Sequence, residues 1–232
     1  RRWKAWGGLP CGSFPRLPPG AKFHNPVQPI LVRDRARHVG DRVAVVVAES
    51  AKLAADAAEL VEVDYEPLPA VTLVNAANAG TVRVWDEAEG NISFEQQHGD
   101  AAMVEKAFVA AAHVSKLRVH FPRASANSLE PRGAVAYLEP LDGRTTLVTS
   151  SQAVYRTRDL ISAALNIPPH GLRVVAGDVG GAFGMKGQTY PEEVLVVWAA
   201  RKLGRPVKWI ADRSESLQSD MHGRHQIAEC EM

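Results

Sequence analysis

Val174-Val-Ala-Gly-Asp-Val-Gly-Gly-Ala-Phe-Gly-Met-Lys186 sets glycines at 177, 180, 181 and 184 directly after a β-branched run that reads as a strand. Such a density marks a backbone that turns sharply and comes close to something, because only glycine enters the left-handed region without steric cost. Successive N–H groups in a turn of this kind can converge as a nest on an anionic or electron-rich oxygen. The dinucleotide pattern GxGxxG is absent at this spacing. GxxxxGK[ST] is absent too, since Met185 separates Gly184 from Lys186 and Gly187 stands where Ser or Thr is required. Taken alone, the segment is either a close-approach loop for a ligand or a glycine-rich connection with none.

Its neighbours set the fold class. Downstream, Pro191 to Leu203 reads as a helix closed by Gly204, and Pro206 to Ala211 as a strand. Thr189-Tyr-Pro-Glu192 reads as a capping box with Pro191 in the first turn, which gives Glu192 and Glu193 a capping rather than an acid/base role. Asp212-Arg-Ser-Glu215 resembles a second box. Upstream, Leu172 to Ala176 is a strand, and Ala153 to Leu165 a helix with Val154, Leu160, Ile161 and Leu165 on one face, stopped by Pro168-Pro169. Val135 to Leu138 and Thr145 to Thr149 are strands joined through Leu141-Asp-Gly143, His113 to Phe121 is another, and Asp100 caps a helix to Phe108. Further back, Arg42 to Ala48 reads as a strand buried on both faces. Ser50 then caps a helix with Leu53, Ala54, Ala57, Ala58 and Val61 on one face, and Val61 to Tyr65 is a second strand. This β-α-β order is right-handed if its strands are parallel. Six of the 15 prolines fall in residues 1–29 and predict an irregular lead-in, while 75–99 lack periodicity. The expected class is α+β.

Composition narrows the function. With 46% hydrophobic and 23% charged residues, and Lys+Arg 27 against Asp+Glu 26, the 232 residues describe a globular chain of one or two domains with no basic surface for nucleic acid. The apolar runs Val43 to Ala48 and Val194 to Ala200 fall short of the ~20 residues of a membrane span. Cys11 and Cys230 form no CxxC pair, so no zinc knuckle or iron–sulfur cluster can be built from this chain alone, and their scarcity suits a reducing compartment or indifference to redox state. His222-Gly-Arg-His225 with Cys230 invites a metal reading, but residues three apart on a strand point to opposite faces. Arg1-Arg2 precedes no apolar stretch and reads as an edge rather than a twin-arginine signal; His225 to Met232 alternates like a strand and stops without a turn.

Five segments occur in a telling order: Arg37-His-Val-Gly-Asp-Arg-Val-Ala-Val-Val-Val-Ala-Glu49, Tyr65-Glu-Pro-Leu-Pro-Ala-Val71, Leu129-Glu-Pro-Arg-Gly-Ala-Val135, Asp178-Val-Gly-Gly-Ala-Phe-Gly-Met-Lys186 and Ala199-Ala-Arg-Lys-Leu-Gly-Arg-Pro-Val-Lys-Trp209. Together they resemble the molybdopterin-binding large subunit of the molybdenum hydroxylases: the xanthine dehydrogenase, aldehyde oxidase and aerobic carbon monoxide dehydrogenase family. The resemblance implies the end of an α/β hammerhead domain in residues 1–80, a linker at 81–94, and the start of a molybdopterin-binding domain, with mixed sheets and packed helices, at 95–232.

What the resemblance implies for chemistry is oxidative hydroxylation with water-derived oxygen, acting on aldehydes, N-heterocycles or carbon monoxide. It points to a molybdenum–molybdopterin cofactor, in the cytosine dinucleotide form, touched by Gly180, Gly181, Ala182, Phe183 and Gly184. Gln152 of the Ser151-Gln152 pair would offer its amide to an oxo ligand, a neutral donor that does not protonate it. None of these residues coordinates the metal directly. The family's general base, a Glu near the end of a much longer subunit, matches no residue here, so no catalytic residue is assigned and the segment alone is expected to be inactive. Purine-oxidising members tend to carry Glu where this chain has Gly187, which disfavours xanthine. Iron–sulfur clusters and FAD are expected on partner subunits, in a dimer of heterotrimers, in the cytoplasm or exported to the periplasm with a partner. The alternative is a truncated, non-catalytic module that keeps only fold and subunit-interaction surface.

Overall fold

The structure, a computed structural model, describes residues 8–10 and 16–232. Readings that fall on 1–7 and 11–15, Arg1-Arg2 and Cys11 among them, lie outside the described residues. In chain order the elements are β1 (Leu9–Pro10), β2 (Val27–Gln28), α1 (Ala51–Ala58), α2 (Val74–Asn78), α3 (Ala101–Ala110), β3 (Lys116–Ala124), β4 (Gly133–Leu138), β5 (Thr145–Thr149), α4 (Val154–Leu165), β6 (Leu172–Val175), α5 (Pro191–Leu203), β7 (Val207–Ile210), α6 (Arg213–Ser219) and β8 (Gly223–Glu231). Single 3-10 turns stand at Glu89–Asn91, Pro169–Gly171 and Met185–Gly187.

These elements fall into two units. The first holds 8–10, 27–66 and 125–221. Its centre is a four-stranded sheet in the order β6-β5-β4-β7, with β4 antiparallel to both neighbours and β5 parallel to β6. A parallel pair needs a crossover, and α4 supplies it. Helix α5 packs on β4 and β7, and α4 on β6 and α5. Ala134, Ala136, Leu147, Ile161, Val194, Val197 and Ala200 form the core between sheet and helices. The hairpin β4–β5 turns through Gly143 at φ +68, where Arg144 N–H donates to Asp142 Oδ1 at 2.9 Å. Asn166, left-handed at φ 53, ends α4 before the prolines, and Gly204 closes α5.

The βα segment at 42–65 differs from its sequence expectation. Ser50 caps α1 as expected, accepting from Leu53 N–H at 3.2 Å. Arg42 to Ala48 and Val61 to Tyr65, however, pair with no strand among the described residues, and α1 buries no residue. Val45, Val47, Val61 and Val63 are each about 40% exposed. A β-branched run encodes an extended backbone but not the neighbour that completes its hydrogen bonds.

The second unit holds 16–26, 67–124 and 222–232. Strands β3 and β8 pair antiparallel from Lys116↔Glu231 to Ala124↔Gly223, so the strand expected at 113–121 lies three residues later. Lys116–Glu231 and Arg118–Glu229 pair across the ladder. Asp100 caps α3 by accepting from Met103 N–H at 3.0 Å. The rings of His120 and His225 stand 6.4 Å apart, and no group of three His, Cys, Asp or Glu forms a metal cluster among the described residues. No helix among them is long and apolar enough to cross a membrane.

Candidate functional site

The glycine loop leaves the end of β6 and returns to α5. Gly181 at φ +96, Phe183 at φ 49 and Gly184 at φ +87 are all left-handed, so the turn depends on two glycines and forces one aromatic residue into a conformation that L-residues rarely adopt. Gly181 N–H donates to Val179 O, Met185 N–H to Ala182 O and Gly187 N–H to Gly184 O. The three successive N–H groups of Ala182, Phe183 and Gly184 donate to no acceptor among the described residues. Open donors in left-handed geometry form the concavity that suits an electron-rich ligand atom. Phe183 itself is 77% exposed.

Gln152 lies against this loop. Its N–H donates to Lys186 O at 3.0 Å, and a Cβ placed on Gly187 would sit 3.8 Å from its Oε1. Ser151 is buried and its Oγ accepts from Ala153 N–H at 3.0 Å, which fixes the chain just before α4 and leaves Gln152 exposed. The structure therefore brings Gln152 and the stretch Gly180–Gly184 to one locality, although they are separated by the whole of α4 and β6.

Beneath the loop lies a feature the sequence reading passed over. Lys186, fully buried, donates from Nζ to Glu130 Oε2 at 2.7 Å and to Glu130 O at 2.9 Å. The same Oε2 accepts Gly180 N–H at 2.8 Å, while Glu130 N–H donates to Gly180 O at 3.0 Å. Burial works against the Glu130 charge, but the Lys186 ammonium and the Gly180 N–H outweigh it, so its carboxyl titrates below the usual range. No local pattern links two residues 56 positions apart; the only signal was an ionisable side chain inside a glycine loop.

Behind the loop is a buried charge network. Tyr190 O–H donates to Met185 O at 3.0 Å and accepts from Met221 N–H, and burial pushes its phenol up to about 12. Arg132 lies over the Tyr190 ring, its Cζ 3.8 Å from the centroid, and reaches both Glu192 and Asp220. Here the capping expectation needs correction. Pro191 is the first helical residue, so the cap is Tyr190 rather than Thr189, and Glu193 accepts Tyr190 N–H at 2.9 Å. Glu192 is not part of the cap; it is held between Arg132 and Arg42. Burial opposes its charge, yet the two guanidiniums keep its carboxyl low. Glu193 has no such partner, and burial pushes its carboxyl up. At the second expected box, Asp212 does cap α6, accepting from Glu215 N–H.

Comparison with known proteins identifies the lineage of this arrangement. Residues 84–232 match the molybdopterin cofactor-binding domain. The chain belongs to that family. Residues 15–69 match the aldehyde oxidase and xanthine dehydrogenase a/b hammerhead domain. Among curated proteins, the chain is 36% identical to the 6-hydroxypseudooxynicotine dehydrogenase complex subunit gamma of Paenarthrobacter nicotinovorans, over 88% of this chain and 25% of that protein. It is 31% identical to the carbon monoxide dehydrogenase large chain of Hydrogenophaga pseudoflava, over 85% of this chain and 26% of that one. Among solved structures, quinoline 2-oxidoreductase from Pseudomonas putida 86 superposes with a TM-score of 0.82 at 39% identity, covering 90% of this chain and 26% of that one. The chain spans about a quarter of the length of the relatives it matches.

Proposed function

We propose that this chain is part of the catalytic subunit of a molybdenum hydroxylase that oxidises an aldehyde, an N-heterocycle or carbon monoxide. The observation that carries the reading is the run of open N–H groups at Ala182, Phe183 and Gly184 with the exposed Gln152 amide against the same loop. Main-chain donors and a neutral amide fit a metal–pterin centre, because they can hydrogen-bond its electron-rich atoms without competing as ligands or donating a proton outright. When bound, the cofactor supplies the oxygen-transfer and redox chemistry. Gly180 to Gly184 would hold and orient it, and the Gln152 amide would donate a hydrogen bond to an oxo group. The general base matches no residue of this chain.

The narrower assignments belong to the same reading. The cofactor is the cytosine dinucleotide form, the hammerhead part is 1–80, and the cofactor domain is 95–232. Partner subunits carry the iron–sulfur clusters and FAD in a cytoplasmic dimer of heterotrimers. Gly187 offers no carboxylate at the position where purine-oxidising members tend to carry Glu, which disfavours a purine substrate; a Cβ there would meet Gln152 Oε1 only at an ordinary 3.8 Å.

Expressing the full-length gene under molybdate-replete conditions and assaying molybdenum and pterin tests the proposal. A folded product free of both refutes it, and a stop codon directly after Met232 refutes a catalytic role for this polypeptide. In a loaded enzyme, Gln152→Ala is expected to lower turnover by about 10²- to 10³-fold at unchanged molybdenum content, the usual cost of one preorganised donor.

A further inference from the structure

We infer that Glu130 and Lys186 form a positioning strut that holds the two ends of the glycine loop, and Gln152 with them, in one fixed register. The inference deepens the cofactor reading above and rests on it.

The loop is tied at its entry and its exit by a single carboxylate. Glu130 Oε2 receives Gly180 N–H where the loop begins and Lys186 Nζ where it ends. Lys186 then passes the restraint on, since its own carbonyl accepts Gln152 N–H. A buried ammonium is tolerated only with a partner, and among the described residues its bonds go to Glu130. The spacing is tight: a Cβ on Gly180 would approach Glu130 Cβ to 2.6 Å, so glycine is what lets the carboxylate reach the loop.

The anchor is itself held. Ser128 Oγ donates to Glu130 O at 2.9 Å. Arg213, from α6, donates to Asn127 Oδ1, Ser128 O and Leu129 O at 2.8 to 3.0 Å, gripping the three residues before Glu130. None of these groups is among the open donors of the cradle. They determine where those donors stand, so Glu130 and Lys186 are positioning residues rather than ligand contacts.

The test uses the full-length subunit in its complex with two variants. Lys186→Met removes the buried charge at similar length and leaves Glu130, whose side chain is 39% exposed, hydrated. Glu130→Gln keeps an acceptor for Gly180 N–H, removes the charge, and is read in the same way if the first variant fails to accumulate. Hydrogen exchange is followed at the amides of Gln152, Met185 and Gly187, alongside those of α5. The strut predicts exchange about 10- to 100-fold faster at those three amides with α5 unchanged, the loss of one charge-assisted restraint, together with a fall in molybdenum and pterin content. Unchanged loop exchange overturns the inference, as does acceleration spread equally through α5, which is what a merely structural pair would give. A wild-type subunit lacking molybdenum and pterin sinks the cofactor reading alone; local loosening in the variants would still establish the strut.

Discussion

Arg132→Met is the substitution whose cost follows most directly from the geometry. The Arg132 side chain is 5% exposed, and its partners Glu192 and Asp220 are 7% and 3% exposed. Nε donates to Asp220 at 2.5 Å, Nη1 and Nη2 to Glu192 at 3.1 and 3.3 Å, and Nη2 to Ser219 Oγ at 2.8 Å. Methionine fills much of the volume and removes all of these bonds. Glu192 keeps Arg42, whose Nη2 lies 2.7 Å from it, but Asp220 loses its guanidinium partner while still buried. Breaking one side of a buried pair costs about 3–5 kcal/mol. The stacking of Arg132 on Tyr190 adds about 0.5–2 kcal/mol, partly the same energy counted again. A loss of about 4 kcal/mol lowers the thermal midpoint by roughly 10 °C in a domain of this size. The second step discriminates: adding Asp220→Asn removes the stranded charge and is expected to recover stability, a coupling of about 1–3 kcal/mol in a double-mutant cycle. A loss below about 1 kcal/mol, or additive single changes, would refute the reasoning.

Gly184→Ala tests backbone strain alone, because φ is +87 and nothing lies within 4 Å of the added carbon; thermal unfolding should show a loss of about 1–2 kcal/mol. Gly180→Ala instead meets Glu130 Cβ at 2.6 Å, and its crystal structure should show Glu130 displaced from the loop. Phe183→Ala, at a 77% exposed side chain, is expected to leave stability within about 0.5 kcal/mol, and a larger fall in the unfolding midpoint would mean the ring packs inward. Glu193→Gln addresses pH. The folded carboxyl is raised above its ordinary 4.5, so the folded state holds the proton longer, and stability falls as pH rises from about 4.5 through the raised value. The glutamine variant should lack that fall, and identical pH profiles of the midpoint would contradict it. Glu192, held low, contributes the opposite way: its share is present above 4.5 and is lost as pH drops through its lowered value.

Where the sequence was legible, one residue carried its own instruction. Ser50, Asp100 and Asp212 each cap the helix that follows, and Gly204 closes α5, because a cap needs only a short oxygen or a missing Cβ at one position. The loop was legible for the same reason, as two of its glycines occupy left-handed φ. Illegible were the features that depend on a distant partner. Arg42 to Ala48 reads as strand from its branching alone, but a ladder requires a second chain segment that β-propensity does not name. Glu130 meets Lys186, and Arg132 meets Asp220, through sheet and helix placement that no local window contains. Thr189 and Tyr190 differ as caps by one position, which Pro191 settles only once its place as the first helical residue is known.

The two exposed β-branched stretches on either side of α1 have a consequence for handling the molecule. Val45, Val47, Val61, Val63 and Tyr65 present β-branched and aromatic side chains to water beside backbone that joins no ladder among the described residues. Such edges act as templates for strands from another copy. A polypeptide made with them bare will tend to self-associate and sediment before any question of cofactor loading arises, and lysine substitutions at Val45 and Val63 would keep it dispersed.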